Sequence, residues 1–535
     1  MCNLDNVQLR QCATLALRRA LVTQPIKMRT LNTLLFGLIP FTTFAQTDCL
    51  GKGFLYHAST EAIVSDGEHA PLWLTANRYG LPSVEKSSAY ATVGLSKSAM
   101  AEKEKNWEWG MGADLVTAAD HTSTFFVQQL YADVRYKHGL LTLGQKQQKM
   151  QLKNNELSSG SQTFGTNARP YPELRLSLPD YWNVPGTNGF LGLKGHLAVG
   201  MYTDNTFQKD FTKGRASFDE DVLMHTKAGY LRFGKEDKPF TVEAGLEMAS
   251  QFGATHHEKT KDGWVVTKSG RGLSAFWHAF AGGGSDATDG AVQNNEGNML
   301  GSWVLRLNYK TSGADYGLYA DHFFEDHSAM FLLDYNGYAY EQGVMKKKDS
   351  KFLMYPPKDI MLGADVHFKH AKWVTDCVVE YVYTRYQSGP VYTDRTPELP
   401  SHIGGNDNYY NNGLEPGWQH WGQTLGNPLY ISPIYNGNNS LKFLCNRFTA
   451  WHIGIAGNPT PQLSYRVRAS WQESLGTYDV PFYSPKRNVS LSAEALYDAS
   501  HWWNGLSIGA AFGMDRGALL GNSTGGRITL NYTLR

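Results

Sequence analysis

From about Ala89 to the last residue, apolar and polar side chains alternate along the chain with a period of two. Thr241–Met248 places Val242, Ala244, Leu246 and Met248 on one face and Thr241, Glu243 and Glu247 on the other. Ser302–Tyr309 sets Trp303, Leu305, Leu307 and Tyr309 against Ser302, Arg306 and Asn308. Leu362–Lys369, Ser464–Gln472, Val489–Tyr497 and Arg527–Arg535 follow the same rule. Successive side chains of a strand point to opposite faces, so each segment predicts a half-buried strand, bounded by Gly, Asn, Asp and Pro connections. At about 25 residues per strand and connection, residues 89–535 make roughly 16–18 strands, within the even-numbered range of outer-membrane barrels.

Alternation alone also fits a soluble sandwich. Two details favour a membrane barrel. The polar faces carry charges of both signs, as a hydrated lumen does, and the apolar faces often end in Trp or Tyr, as at a bilayer interface. The chain also finishes on an amphipathic strand, Ile528–Arg535, and lipid admits only helices and closed sheets. Composition agrees: 54 Gly in 535 residues, 13% aromatic and 19% charged, against about 25% charged in ordinary domains. This excludes disorder, coiled coil and collagen. With mean hydropathy −0.40 and no run of 18 apolar residues, a bundle of membrane-spanning helices is excluded as well.

Charge is uneven. Residues 1–45 carry Arg10, Arg18, Arg19, Lys27 and Arg29 against Asp5 alone, a net of +4. Met28-Arg29, the apolar stretch Leu34–Ile39 and the small-x-small end Thr43-Phe44-Ala45 read as a secretory signal with its core at 28–45, and either Met1 or Met28 serves as the start. The remaining chain has no basic stripe for phosphate backbones, so nucleic acid is not expected as a partner. Cys49, Cys377 and Cys445 are too few and too scattered for a structural zinc site, and Gln46-Thr47-Asp48 before Cys49 does not suit lipid attachment.

Two regions break the rhythm. Residues 46–88 lack clean alternation and are expected to form a short, partly helical periplasmic segment before a barrel over 89–535. Residues 389–439 are crowded with Pro, Gly, Asn and aromatics; a stretch this long is usually functional or disordered, and its aromatics argue against disorder. Within it, Asp407, Tyr409, Tyr410, Trp418 and Trp421 offer flat rings and a carboxylate among Asn and Gln amides. Sugars alternate apolar faces with hydroxyls, so this set suits glycan contact. A packed loop closing the lumen would use the same residues, and both readings stand.

Other chemistry is weaker. In His322–Ser328 the adjacent Glu325 and Asp326 point to opposite faces of an extended chain and cannot form a catalytic pair. Ser328 lacks a nucleophile elbow. Gly282–Ser285 lacks a phosphate-loop Lys, and Asp286–Glu296 misses the calcium-loop spacing. No catalytic residue, metal or cofactor is expected.

Short blocks along the chain resemble the Wzi-type capsule assembly family in its Bacteroidetes-like form. They are Glu296–Trp303, His322–Ser328, Gly405–Trp421, Gly426-Asn427-Pro428-Leu429 through Ser432-Pro433, Arg169-Pro170-Tyr171-Pro172-Glu173, Glu380-Tyr381 with Gln387-Ser388-Gly389, Asn446-Arg447 and Gly476-Thr477-Tyr478. The likeness runs from about Leu72 to the C-terminus. It implies an 18-stranded outer-membrane barrel of a Gram-negative bacterium, with a periplasmic helical segment and a lumen closed by loops. The implied role is that of a non-enzymatic lectin, a monomer in outer-membrane lipid that attaches capsular or other surface polysaccharide. A porin or glycan-uptake channel is the alternative, and an outer-membrane hydrolase is weaker.

Overall fold

The fold was obtained as a computed structural model, which describes residues 53–101, 105–281, 297–325, 330, 359–387 and 407–534, with the backbone of short strands between Ala287 and Gly404. The leader, Cys49, the Gly282–Glu296 loop up to its last residues, Asp326–Ser328 and residues 389–406 of the long aromatic stretch lie outside the residues described with side chains.

Eighteen strands form one antiparallel sheet. Its first strand, Leu55–His69, pairs with the last, Ser523–Leu534, through Tyr56↔Leu534, Thr60↔Leu530 and Val64↔Gly526. That pairing closes the barrel and removes the two sheet edges that lipid could not tolerate. The predicted strands fall within Phe240–Phe252, Asn298–Lys310, Ile360–Phe368, Leu463–Gly476, Pro481–Asp498 and Ser523–Leu534.

The faces follow the alternation. Trp303 and Leu305 are 41% and 42% exposed on the outer wall. Between Leu305 and Leu307, Arg306 turns inward to a two-pronged ion pair with Asp365, at 2.6 and 2.8 Å. Inside the wall, Gly112, Gly245 and Gly363 lie beneath the rings of Tyr131, Tyr230 and Tyr319, each a cross-strand neighbour, so close that a Cβ would strike the ring. Glycine in a strand here marks a close approach, compensated by the aromatic cover.

The two ends of the barrel differ. Connections at the end where the first strand begins and the last one finishes are short, from residues 137–138 and 461–462 to 98–106. The other end carries 146–171, 202–222, 253–297 and 384–447. Short periplasmic turns opposite long external loops are the outer-membrane pattern. Trp107, Trp373 and Trp502 stand exposed near the short turns, where an aromatic girdle belongs.

The N-terminal boundary differs from expectation. The barrel begins at Leu55, not Ala89, and among the described residues of 46–88 the helical part is the single turn Leu72–Thr75. That turn lies at the long-loop end, inside the lumen instead of the periplasm. Trp73 is fully buried, its indole Nε1 donating to Ser470 Oγ at 3.1 Å, while Arg468 Nη2 donates to the Trp73 carbonyl at 2.6 Å. Leu72 N donates to Asp515 Oδ2 at 2.8 Å. With Arg527 Nη1 donating to the Leu74 carbonyl at 2.8 Å, three wall strands grip one short turn.

Longer connections fold inward above it. Segments 146–171 and 407–447 fill the lumen, and their rings join wall residues such as Phe323 and Phe448 in one buried apolar cluster. Glu380 on the wall accepts from Ser158 Oγ at 2.5 Å, Ser159 N at 2.8 Å and Tyr319 Oη at 2.5 Å. Lys153 Nζ reaches Asp321 Oδ2 at 2.8 Å. Inward-facing charges thus serve as anchors for a plug.

Candidate functional site

The aromatic stretch resolves into two kinds of residue. Tyr409 and Tyr410 are fully buried and Trp418 is 1% exposed. Tyr409 Oη donates to Asp359 Oδ2 at 3.0 Å, and Trp418 Nε1 donates to the Thr163 carbonyl at 2.9 Å. Tyr410 Oη donates to the Gln162 carbonyl, and the Tyr410 ring stacks on Tyr430 with centroids 3.9 Å apart. Asp407 is buried as well. No ring face of Tyr409, Tyr410 or Trp418 is open to a sugar, because each polar tip is satisfied by a distant part of the chain and each face is packed. The lumen-closing reading holds for these residues in place of direct glycan contact.

Trp421 is the exception. It is half-buried and takes a left-handed backbone with φ 54°, a costly conformation for a bulky residue. Two contacts hold it: its backbone N–H donates to Asp204 Oδ2 at 2.9 Å and its indole Nε1 to Thr203 Oγ1 at 3.4 Å. The preceding His420 accepts the Thr203 N–H at its Nε2 and donates from Nδ1 to the Arg169 carbonyl at 2.8 Å. Burial lowers the His420 pKa, so the ring stays neutral and keeps this donor and acceptor arrangement.

Arg169 is the residue that sequence reasoning missed. Its side chain is buried, with the guanidinium carbon 3.8 Å from the Phe126 ring centroid and 4.3 Å from that of Trp421. A guanidinium held between two rings gains cation–π attraction on both faces. Its edge is poorly served: Nη2 donates to Thr122 Oγ1 at 3.4 Å and Nε has no partner. Asp204, the acid that bears on it, already accepts from Trp421 N and from Gln208 Nε2. Burial therefore pushes the Arg169 pKa down to about 9. Nearby His121 is driven down to about 3, by burial and then by the Arg169 charge. The rigid turn Arg169-Pro170-Tyr171-Pro172 was the available signal in the sequence, since two prolines fix where the arginine can point.

Arg169 also lines a cavity of about 100 Å³ between the 146–151 and 163–173 segments and the barrel wall. Lys146, Lys149, Arg175, Glu173 and His196 share its lining. Lys146 pairs with Asp133 at 2.6 Å and Arg175 with Glu173 at 3.2 Å. Lys149 is the exposed cation of the lining, while the Arg169 guanidinium lies away from it, among Thr122, Phe126 and Trp421.

Among solved structures, the chain is similar to Wzi of Escherichia coli, an outer membrane protein involved in group 1 capsule assembly and described as a carbohydrate binding β-barrel. The two share 14% identity over 96% of this chain and 91% of that one, with a TM-score of 0.51. It is also similar to OccK5 (OpdH) and OprD of Pseudomonas aeruginosa, at 10% and 11% identity, over 90% of this chain and 97% and 94% of theirs, with TM-scores of 0.45 and 0.41. No family model and no curated protein matches the sequence. The chain has the fold of an outer-membrane β-barrel. At 14% identity the likeness to Wzi is one of fold.

Proposed function

We propose that this barrel is a non-enzymatic lectin that holds capsular or other surface polysaccharide at the outer membrane, in the manner of the Wzi-type family. The observation that carries the reading is the plug. Segments 72–75, 146–171 and 407–447 occupy the lumen and meet the wall through a buried apolar cluster and buried charged anchors. A diffusion channel needs a water-filled path with constriction charges, whereas here inward carboxylates such as Asp321 and Glu380 are consumed in holding loops. A surface binder needs rigid loops at the outer end, since a site whose supports are fixed binds without an ordering cost. The carbohydrate binding named for the E. coli fold neighbour points the same way. Glycan contact falls to the loop surface around Trp421, in place of the packed rings beneath it.

Purified protein in a planar bilayer, paired with binding to the organism's own polysaccharide, tests this. The expected result is electrical silence together with polysaccharide binding. Large, stable conductance without binding would establish the porin instead.

A further inference from the structure

We infer that the helix Leu273–Ala281 lies along the outside of the barrel wall and binds the acyl chains of the outer leaflet. The inference does not depend on the lectin reading; it rests on which face of the wall the helix covers. In the strands Leu223–Phe233 and Phe240–Phe252 one set of side chains faces the lumen. Tyr230 Oη donates to Glu247 Oε1 at 2.8 Å, Thr226 lines the cavity beside the plug, and Gln251 Nε2 donates to the Gly417 carbonyl of the plug at 2.6 Å. Alternation sends His225, Lys227, Ser250 and Phe252 outward, on the face that carries Leu231, 40% exposed. The helix covers these four residues. Phe252 packs with Ala275 and Ala279, and His225 is fully buried beside the rings of Phe276 and Phe280. Ser250 Oγ donates to the Ala279 carbonyl at 3.0 Å, and Lys227 Nζ donates to the Phe280 carbonyl. The last carbonyls of a helix have no partner within it, and a serine and a lysine turned toward lipid find none there. Each set satisfies the other.

What the helix turns away from the wall is apolar. Leu273 and Trp277, one turn apart and so on the same side, are 89% and 61% exposed, and no Lys, Arg, Asp or Glu occurs from Leu273 to Ala281. Its height on the wall decides what meets that side. Phe233 ends its strand at the short-turn end of the barrel, and Leu223 begins it at the other. At about 3.3 Å per residue and a tilt of about 40°, Lys227 stands roughly 15 Å above Phe233 and Leu223 roughly 25 Å, so the helix overlies the upper part of an apolar band about 25 Å tall. Charge returns just before the helix, where Arg271 pairs with Asp221 at 3.2 Å. A charged rim therefore sits above an uncharged helix, as at the edge of a bilayer. Leu273 and Trp277 replace the polar wall beneath them as the lipid-facing surface, continuous with Leu231 lower on the same wall. Acyl chains suit such a face, because it offers no partner for a headgroup and no charge for water.

The test uses the full barrel refolded into phosphatidylcholine vesicles, with and without bromine on the lipid acyl chains. The chain holds 14 tryptophans, so the emission of the wild type minus that of Trp277→Phe isolates one ring. Acyl-chain bromine should quench that difference by about half or more, and iodide in the water should leave it unchanged, as expected of a ring roughly 5–10 Å below the headgroup boundary. Leu273→Trp in the Trp277→Phe background places a second probe on the same side of the helix, and it should behave alike. Both positions are exposed, so neither change disturbs packing, and heat-modifiable gel mobility shows that each variant is folded. Quenching of the two probes by iodide and not by bromine would overturn the inference, because the helix would then stand in water. Resistance to both quenchers would overturn it as well, since protein such as a second barrel would then cover the face in place of lipid.

Discussion

Removing Lys153 should open the plug without unfolding the barrel. Its ammonium lies 2.8 Å from Asp321, with side-chain exposures of 2% and 0%, and Asp321 Oδ2 also accepts the Gln162 N–H at 3.1 Å. Burial works against the charge on Lys153, yet Asp321, Glu247 and Glu380 around it hold its pKa above the usual lysine value. Lys153→Met therefore leaves three wall carboxylates facing the plug with their shared cation gone. Breaking a buried pair from one side costs about 3–5 kcal/mol, because the abandoned charge stays buried. At 1.4 kcal/mol per tenfold, the closed plug becomes roughly 140- to 3,700-fold less favoured relative to its displaced state.

The barrel itself keeps its closed sheet, so the loss should fall on segment 146–171. Two assays read it together: protease nicking of 146–171 in intact cells, and conductance of the purified protein in a planar bilayer. Heat-modifiable gel mobility shows that the barrel is folded. Nicking and current should both rise in Lys153→Met. Adding Asp321→Asn should reverse most of the effect, since the amide still accepts from Gln162 N and carries no charge. The reasoning is refuted if Lys153→Met is as silent and as protease-resistant as the wild type, or if the double variant leaks as much as the single.

Three further outcomes follow from the geometry. Leu305→Arg, on the outer wall between Ala244 and Ala320, should cut barrel assembly by about 2–4 kcal/mol, while Glu243→Gln on the lumen side should assemble normally; equal refolding yields into lipid vesicles would show the faces reversed. Burial, and then Asp219, pushes the Glu415 carboxyl up to about 8. A folded-state pKa above the unfolded value near 4.5 contributes stability that is fully present below about 4.5 and lost as pH rises through about 8, so protease resistance of segment 407–447 should fall across that window in the wild type and stay flat in Glu415→Gln. Gly426→Ala would drive a Cβ into Tyr410 Oη and the Gln162 carbonyl, and should lower thermal stability by about 1–3 kcal/mol, as overpacking does; an unchanged melting temperature would show the plug to be looser than its contacts imply.

The strands were legible because two solvents enforce them: lipid on one side of the wall and polar anchors on the other, so that a single slip would put Arg306 into hydrocarbon. The first strand escaped notice for a reason visible in its contacts. Its outward face at Ala58, Thr60 and Ala62 is small and barely apolar, and its inward face at Ile63 meets Leu74 of the plug turn, not water. With the contrast reduced on both faces, Leu55–His69 reads as irregular, and its role in closing the barrel depends on residues more than 450 positions away.

The site divides along the same line. Composition marks Tyr409, Tyr410, Trp418 and Trp421 equally, because it records that rings are present and not what satisfies them. Asp359 and Thr163 decide that two of those rings are structural, and both lie dozens to hundreds of residues away in the chain. Arg169 is harder still to find, since it is distinguished by a missing partner. Cations and acids nearly balance over the whole chain, and a balanced total conceals which charge is left over. Only when folding assigns Asp133 to Lys146, Glu173 to Arg175 and Asp204 to Trp421 does the remainder become specific. A buried cation whose Nε is left without a partner beside two rings is a product of the fold alone, and no count of rings or charges along the chain marks it.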